Sequence, residues 1–191
     1  MSTSRNKIVA SIKEHQPELV ALPVIDLSQV ITYADTFKQF KNVLESIGGK
    51  VILVPNWEKV IEEKKSENFT INTVAELGEI TSGINKMTAT QLENLERIYV
   101  KGTLAVAENG AVWVYESQLL NRLTAFICQH LVLIINKKDI VNTLHQAYEK
   151  IEVNKEGFGL FIAGPSKTAD IEQSLVIGAH GARSTTVYVI E

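Results

Sequence analysis

Three short runs of apolar, largely β-branched residues restrict what this chain can fold into: Lys50 to Pro55 (KVILVP), His130 to Ile135 (HLVLII) and Thr185 to Ile190 (TTVYVI). A strand with one wet face alternates apolar and polar residues, so the unbroken runs at 51–54 and 131–135 predict strands buried on both faces. Helical patterns lie between them. Residues 28–47 place Val30, Ile31, Ala34, Phe37, Phe40, Val43, Leu44 and Ile47 at helical spacing, with Ser28 as cap and Gly48-Gly49 as a left-handed stop. Residues 139–151 set Ile140, Leu144, Ala147 and Tyr148 on one side of a second helix. Alternation of this kind predicts an α/β fold with a mainly parallel sheet, helices on both faces and right-handed crossovers.

The remaining segments fill in around this frame. Residues 4–15 carry Ile8 and Ile12 among polar side chains and predict a weakly amphipathic helix ended by Pro17; residues 18–27 form a connector. The expected organisation is an N-terminal helix and connector over 1–27, then one α/β domain over 28–191. Residues 57–67 are charged and helical in pattern, and residues 88–102 read as a polar-faced segment. Thr103 to Ala107, the Glu108-Asn109-Gly110 turn and the alternating AVWVY run predict strand, turn, strand. The last stretch reads as a strand at 160–163, a turn, a helix at about 168–177, a Gly-rich turn and a strand at 185–190.

Composition removes several classes of function. A net charge of −3 with both signs scattered provides no basic face, so no nucleic-acid partner is expected. Cys128 is the single cysteine. It cannot form an internal disulfide or supply a zinc or iron–sulfur site, and a small buried apolar residue in a reducing compartment is the expected role. No run approaches the roughly 20 apolar residues of a membrane helix and no signal sequence is evident, which predicts a cytoplasmic protein without membrane insertion. Without paired carboxylates or histidines at ligand spacing, no metal and no cofactor are expected.

The candidate site residues fall in two glycine-bearing bends. Glu108, with Asn109 and Gly110, sits at a strand end from which a carboxylate can project into a cleft as nucleophile or general base. The alternative is a turn glutamate in ordinary hairpin chemistry. Gly164-Pro165-Ser166, followed by Thr168 and Asp170, is a strand-to-helix turn suited to a carboxylate or phosphate. Ser166 and Thr168 serve equally as helix caps, and Asp170 and Glu172 as acids complementing the helix dipole. His180-Gly181-Ala182-Arg183 combines a titratable ring, a permissive glycine and a cation able to clamp a carboxylate; a plain helix C-terminus accounts for the same residues. His130 opens its apolar strand, a position usually structural.

The stretch AGPSKTADIEQSLVIGAHGARS resembles the C-terminal signature of the lactate-utilisation (LUD) family. Ala107-Glu108-Asn109-Gly110 is similar to that family's Ala-Glu-Thr-Gly turn, and His130 to a His that opens a buried strand. The resemblance covers roughly residues 28–191. It implies the fold of ribose-phosphate isomerases, glucosamine-phosphate deaminases and CoA transferases: a doubly wound, largely parallel sheet with the ligand site at strand carboxyl ends. It also implies a non-redox subunit or accessory of a bacterial L-lactate oxidation system, binding a small carboxylate or phosphate, with iron–sulfur subunits as partners. Thr103 stands where the family commonly has Asp, and Asn109 where it has Thr. The Glu-Asn-Gly turn is also similar to the one bearing the CoA-transferase nucleophile. It leaves open a stand-alone CoA-transferase-like or sugar-phosphate isomerase-like enzyme using Glu108.

Overall fold

The computed structural model describes residues 3–21, 23–64, 69–152, 156–167 and 177–191. Its centre is a five-stranded, all-parallel sheet. The strands are β1 (Lys50–Val54), β2 (Thr70–Asn72), β3 (Arg97–Lys101), β6 (His130–Asn136) and β9 (Ser184–Ile190), in the order β1-β9-β6-β3-β2. The middle strand β6 holds Leu131 to Ile135 fully buried, as its unbroken apolar run requires. β1 departs from the expectation: among the described residues it is an edge strand paired with β9, and Leu53 is 40% exposed. The segment read simply as polar-faced contains α4 (Ala89–Leu92), closed by a capping box of Thr88 and Gln91, and then β3, whose Ile98, Tyr99 and Val100 are buried between β2 and β6.

A second, four-stranded sheet stacks on the first. It contains β4 (Leu104–Val106), β5 (Ala111–Tyr115), β7 (Ile140–Val141) and β8 (Gly159–Ile162), ordered β7-β4-β5-β8. β4 and β5 are antiparallel through the predicted turn, Leu104 facing Trp113. β8 joins β5 antiparallel rather than entering the parallel sheet. Ile140 and Val141 are a strand parallel to β4 rather than the first turn of a helix, and α7 (Leu144–Lys150) begins after Thr143, whose hydroxyl accepts from the Gln146 amide.

Helix α2 (Thr36–Ser46) starts six residues after Val30, where its apolar pattern begins. The Asp35 carboxylate caps it through the Lys38 amide, and Leu27–Gln29 is a separate 3-10 turn capped by Asp26, whose carboxyl lies below its usual range because Ser28 and Gln29 donate to it. Phe40 and Leu44 of α2, inward faces of both sheets and Leu92, Leu95 and Leu119 make the main core. The outer face of the parallel sheet packs Val54, Tyr99, Ile134 and Tyr188 against Val60 of α3 (Trp57–Glu63). The outer face of the mixed sheet packs Val106, Trp113 and Val141 against α7. Short helices α5 (Glu116–Leu119) and α6 (Thr124–Ile127) lead into β6. Cys128 is buried there at 1% exposure, and burial pushes its thiol up to about 12, which keeps it protonated and inert. α1 (Ser4–Glu14) buries none of its residues.

Candidate functional site

Both glycine-bearing bends pack on the same helix. Gly110 has φ +68°, and a Cβ there would lie 3.0 Å from the backbone N and Cα of Leu44. Gly164 has φ +73°, and its Cβ would lie 3.3 Å from Ile47. A side chain is therefore strained at each by backbone conformation and by close approach to α2. Leu44 and Ile47 are three residues apart, so the bends sit about 5 Å from one another along the helix axis. Pro165 continues the contact, lying over Gly48.

The Glu108 carboxylate leaves this line. Its Oε1 accepts from the Leu144 amide at 2.6 Å, at the first turn of α7, while the Glu108 amide donates to the Asn142 carbonyl at 3.0 Å. Asn142 in turn accepts, through Oδ1, from the Tyr33 amide and the Thr36 hydroxyl. Glu108 thus ties β4 to the start of α7, and Asn142 ties α7 to the start of α2. Asn109 closes its own turn by accepting from the Ala111 amide. A carboxylate at a helix start is held by the amide and by the dipole. Glu108→Ala is expected to destabilise the protein by about 1 kcal/mol in urea titration, whereas Glu108→Gln, which keeps the acceptor oxygen, should stay within about 0.5 kcal/mol of wild type.

The other bend opens a cleft of about 300 Å³. Its walls are β8 from Leu160 to its end, Phe126 of α6, Leu131 at the entry of β6, and the segment from His180 to Ala182. Backbone hydrogen bonds fix the rim: Ser166 donates to the Ala182 carbonyl at 2.8 Å, Gly178 donates to the Ser166 carbonyl at 3.0 Å, and Lys167 bridges to Ile177. Gly181 lies directly against Ser166. The polar groups of the cleft are Ser166, Lys167 and His180; its floor is apolar. Such a lining suits a short organic acid, with its carboxylate toward Lys167 and the polar groups beside it and its carbon skeleton toward Leu131 and Leu160.

Of the residues singled out in the sequence, Gly164, Ser166, His180 and Gly181 line this cleft, and Pro165 packs beside it over Gly48. Glu108, Asn109 and Gly110 do not line it. Arg183 turns to the opposite side and lines a separate cleft with His130. Thr168, Asp170 and Glu172, with the helix expected over 168–177, fall outside the described residues, apart from Ile177. Lys167 was missed although it directly follows Gly-Pro-Ser; a lone lysine after a turn has no distinguishing spacing. Both clefts lie where β6 and β9 begin. That is the amino end of the parallel strands, opposite the carboxyl end implied by the fold resemblance. At the carboxyl ends Lys101 pairs with Glu76 and Lys137 with Glu191. The pairing with Lys101 holds the Glu76 carboxyl below its usual range.

Comparison with known proteins agrees with this architecture. A model of the LUD domain matches residues 94–190, from the approach to β3 through β9. The chain is 32% identical over 157 residues to "Lactate utilization protein C" of Anoxybacillus flavithermus, covering 82% of this chain and 69% of that one. It is 33% identical over 94 residues to "Lactate utilization protein C 1" of Bacillus mycoides, which covers 46% of this chain and 40% of the relative. A match at 24% identity to "Lactate utilization protein C" of Geobacillus thermodenitrificans spans 98% of this chain and 80% of the relative. Among solved structures, a DUF162 family protein from Deinococcus radiodurans superposes with a TM-score of 0.64 over 85% of this chain and 100% of that one; at 15% identity this likeness shows the fold alone. With half of its length matched by the domain model and most of it aligned to a relative at 32% identity, the chain belongs to the LUD-domain family.

Proposed function

We propose that this protein serves lactate utilisation as a non-redox subunit or accessory of a bacterial system that oxidises L-lactate to pyruvate. The observation that carries the reading is the 32% identity to a lactate utilization protein C over 82% of the chain. The role follows from chemistry. Oxidising lactate removes two electrons and two protons from the substrate, and a chain whose sequence holds a single, buried cysteine has no thiolate set for an iron–sulfur cluster. An iron–sulfur cluster serving that oxidation would therefore be held by a partner subunit.

Within that role the Gly164 cleft holds the small carboxylate, with Lys167, Ser166 and His180 toward its charge and Phe126, Leu131 and Leu160 toward its methyl group. Partner docking draws support from the N-terminal arm. Ile8 and Ile12 of α1 are each 60% exposed, and Leu19 and Val24 of the connector almost fully so, which leaves these apolar side chains available to a partner. Among the described residues no helix is long and apolar enough to cross a membrane.

In a host carrying the iron–sulfur subunits, deleting this gene is expected to abolish growth on L-lactate as sole carbon source while leaving growth on glucose intact. A tagged copy should restore growth and co-purify with an iron-containing protein. Undiminished growth on lactate would overturn the proposal.

A further inference from the structure

The second cleft has a charge arrangement that the first does not explain. It encloses about 270 Å³ and is lined by Glu93, Asn94, Glu96, Gln129, His130 and Arg183. Three chain entries are laced together to build it. Gln129 donates to the Leu95 carbonyl at 3.1 Å, His130 donates to the Glu96 carbonyl at 2.8 Å, and Arg183 donates to the Gln129 carbonyl at 2.8 Å. Strand register places His130 beside Ser184, and the ring is fixed by a 2.8 Å hydrogen bond between Nδ1 and the Ser184 hydroxyl. The side chains that line the cleft therefore stand on a rigid frame at the amino ends of β3, β6 and β9.

A cation and two carboxylates share this cavity without bonding to one another. Among the described residues Arg183 makes no ion pair, so its nitrogens stay more than 4.0 Å from the oxygens of Glu93 and Glu96. Opposite charges that line one cavity without pairing are complementary to a ligand that carries both charges. A simple anion would meet two carboxylates, and a simple cation would meet Arg183. A zwitterion would make two charge-assisted contacts at once. The amide side chains of Asn94 and Gln129 supply donors and acceptors for a polar side group. We infer that this cleft is a second ligand site, separate from the Gly164 cleft on the other face of the sheet, and that it takes a small polar α-amino acid.

The test uses the full-length protein. Thermal shift with each of the common amino acids at about 10 mM, followed by calorimetric titration of those that stabilise, is expected to find a polar amino acid that binds with a Kd of about 1 mM or tighter. Arg183→Gln and the double variant Glu93→Gln with Glu96→Gln alter exposed or half-buried side chains. Each should weaken that binding by about tenfold or more. L-Lactate, which has hydroxyl in place of ammonium, should not compete. A control titration of the same variants with L-lactate reads the Gly164 cleft independently, so failure at one site is distinguishable from failure at the other. The inference is overturned if no amino acid binds, if both variants bind as wild type does, or if lactate competes as effectively as the amino acid.

Discussion

Gly110→Ala is expected to lower the unfolding free energy by about 2–4 kcal/mol, measured as a fall in the urea midpoint at unchanged slope. Two independent costs add. At φ +68° an alanine sits in the left-handed region, which costs a residue with a Cβ roughly 1–2 kcal/mol. The new Cβ also lies 3.0 Å from the N and Cα of Leu44, backbone atoms of a packed helix that have no rotamer by which to move aside. Relief would require the α2 backbone to move by a few tenths of an ångström against both sheets. A loss below about 0.5 kcal/mol would mean that the turn does not sit on α2 as described.

Leu44→Ala probes the same contact from the other side and is expected to cost about 2–5 kcal/mol. Leu44 is fully buried in the main core, and its Cδ1 also occupies the space where Gly49 lacks a side chain. Truncation leaves a cavity that neither the sheets nor the Gly-Gly turn can fill by collapse. The double variant is informative. Alanine at 44 keeps the N, Cα and Cβ atoms that a Cβ at 110 would strike, so it should not rescue Gly110→Ala. The two losses should nearly add, although the residues are in contact. Rescue would show that the clash falls on the leucine side chain instead.

What the sequence made legible, and what it hid, divides along local versus non-local causes. The buried strand β6 is visible because Leu131 to Ile135 are apolar without interruption, and the β4–β5 hairpin because Asn109-Gly110 punctuates it. β3 was hidden: Ile98 to Val100 are only three residues between charged ones, and their burial comes from strands far along the chain. Ile140 and Val141 fit the helical spacing of Leu144 and Ala147, yet pairing with Ala105 and Val106 outweighs it, and Thr143 sets the helix start instead. The apolar pattern of α2 ran back to Val30, but the Asp35 cap decides where the helix begins. β8 was foreseen as a strand, but its place in a second, antiparallel sheet depends on β5, 44 or more residues earlier.

The site divides in the same way. The turns at Gly110 and Gly164 were readable from their own residues, and both pack on α2, but only the second opens the cleft. The direction of the Glu108 carboxylate was not readable, because its partner, the Leu144 amide, lies 36 residues away. Nor could spacing separate Arg183 from Ser166 and His180: the two sides of the sheet begin within three residues of each other.

The claim on which the functional reading rests is that a small carboxylate binds in the Gly164 cleft and not at Glu108. Titration of isotope-labelled protein with L-lactate, followed by backbone amide resonances, tests it directly. Saturable shifts are predicted for residues 160–167 and 180–182, with Leu144 and Gly110 unmoved. Shifts centred on Glu108 and Leu144, or none at any lactate concentration, would contradict it.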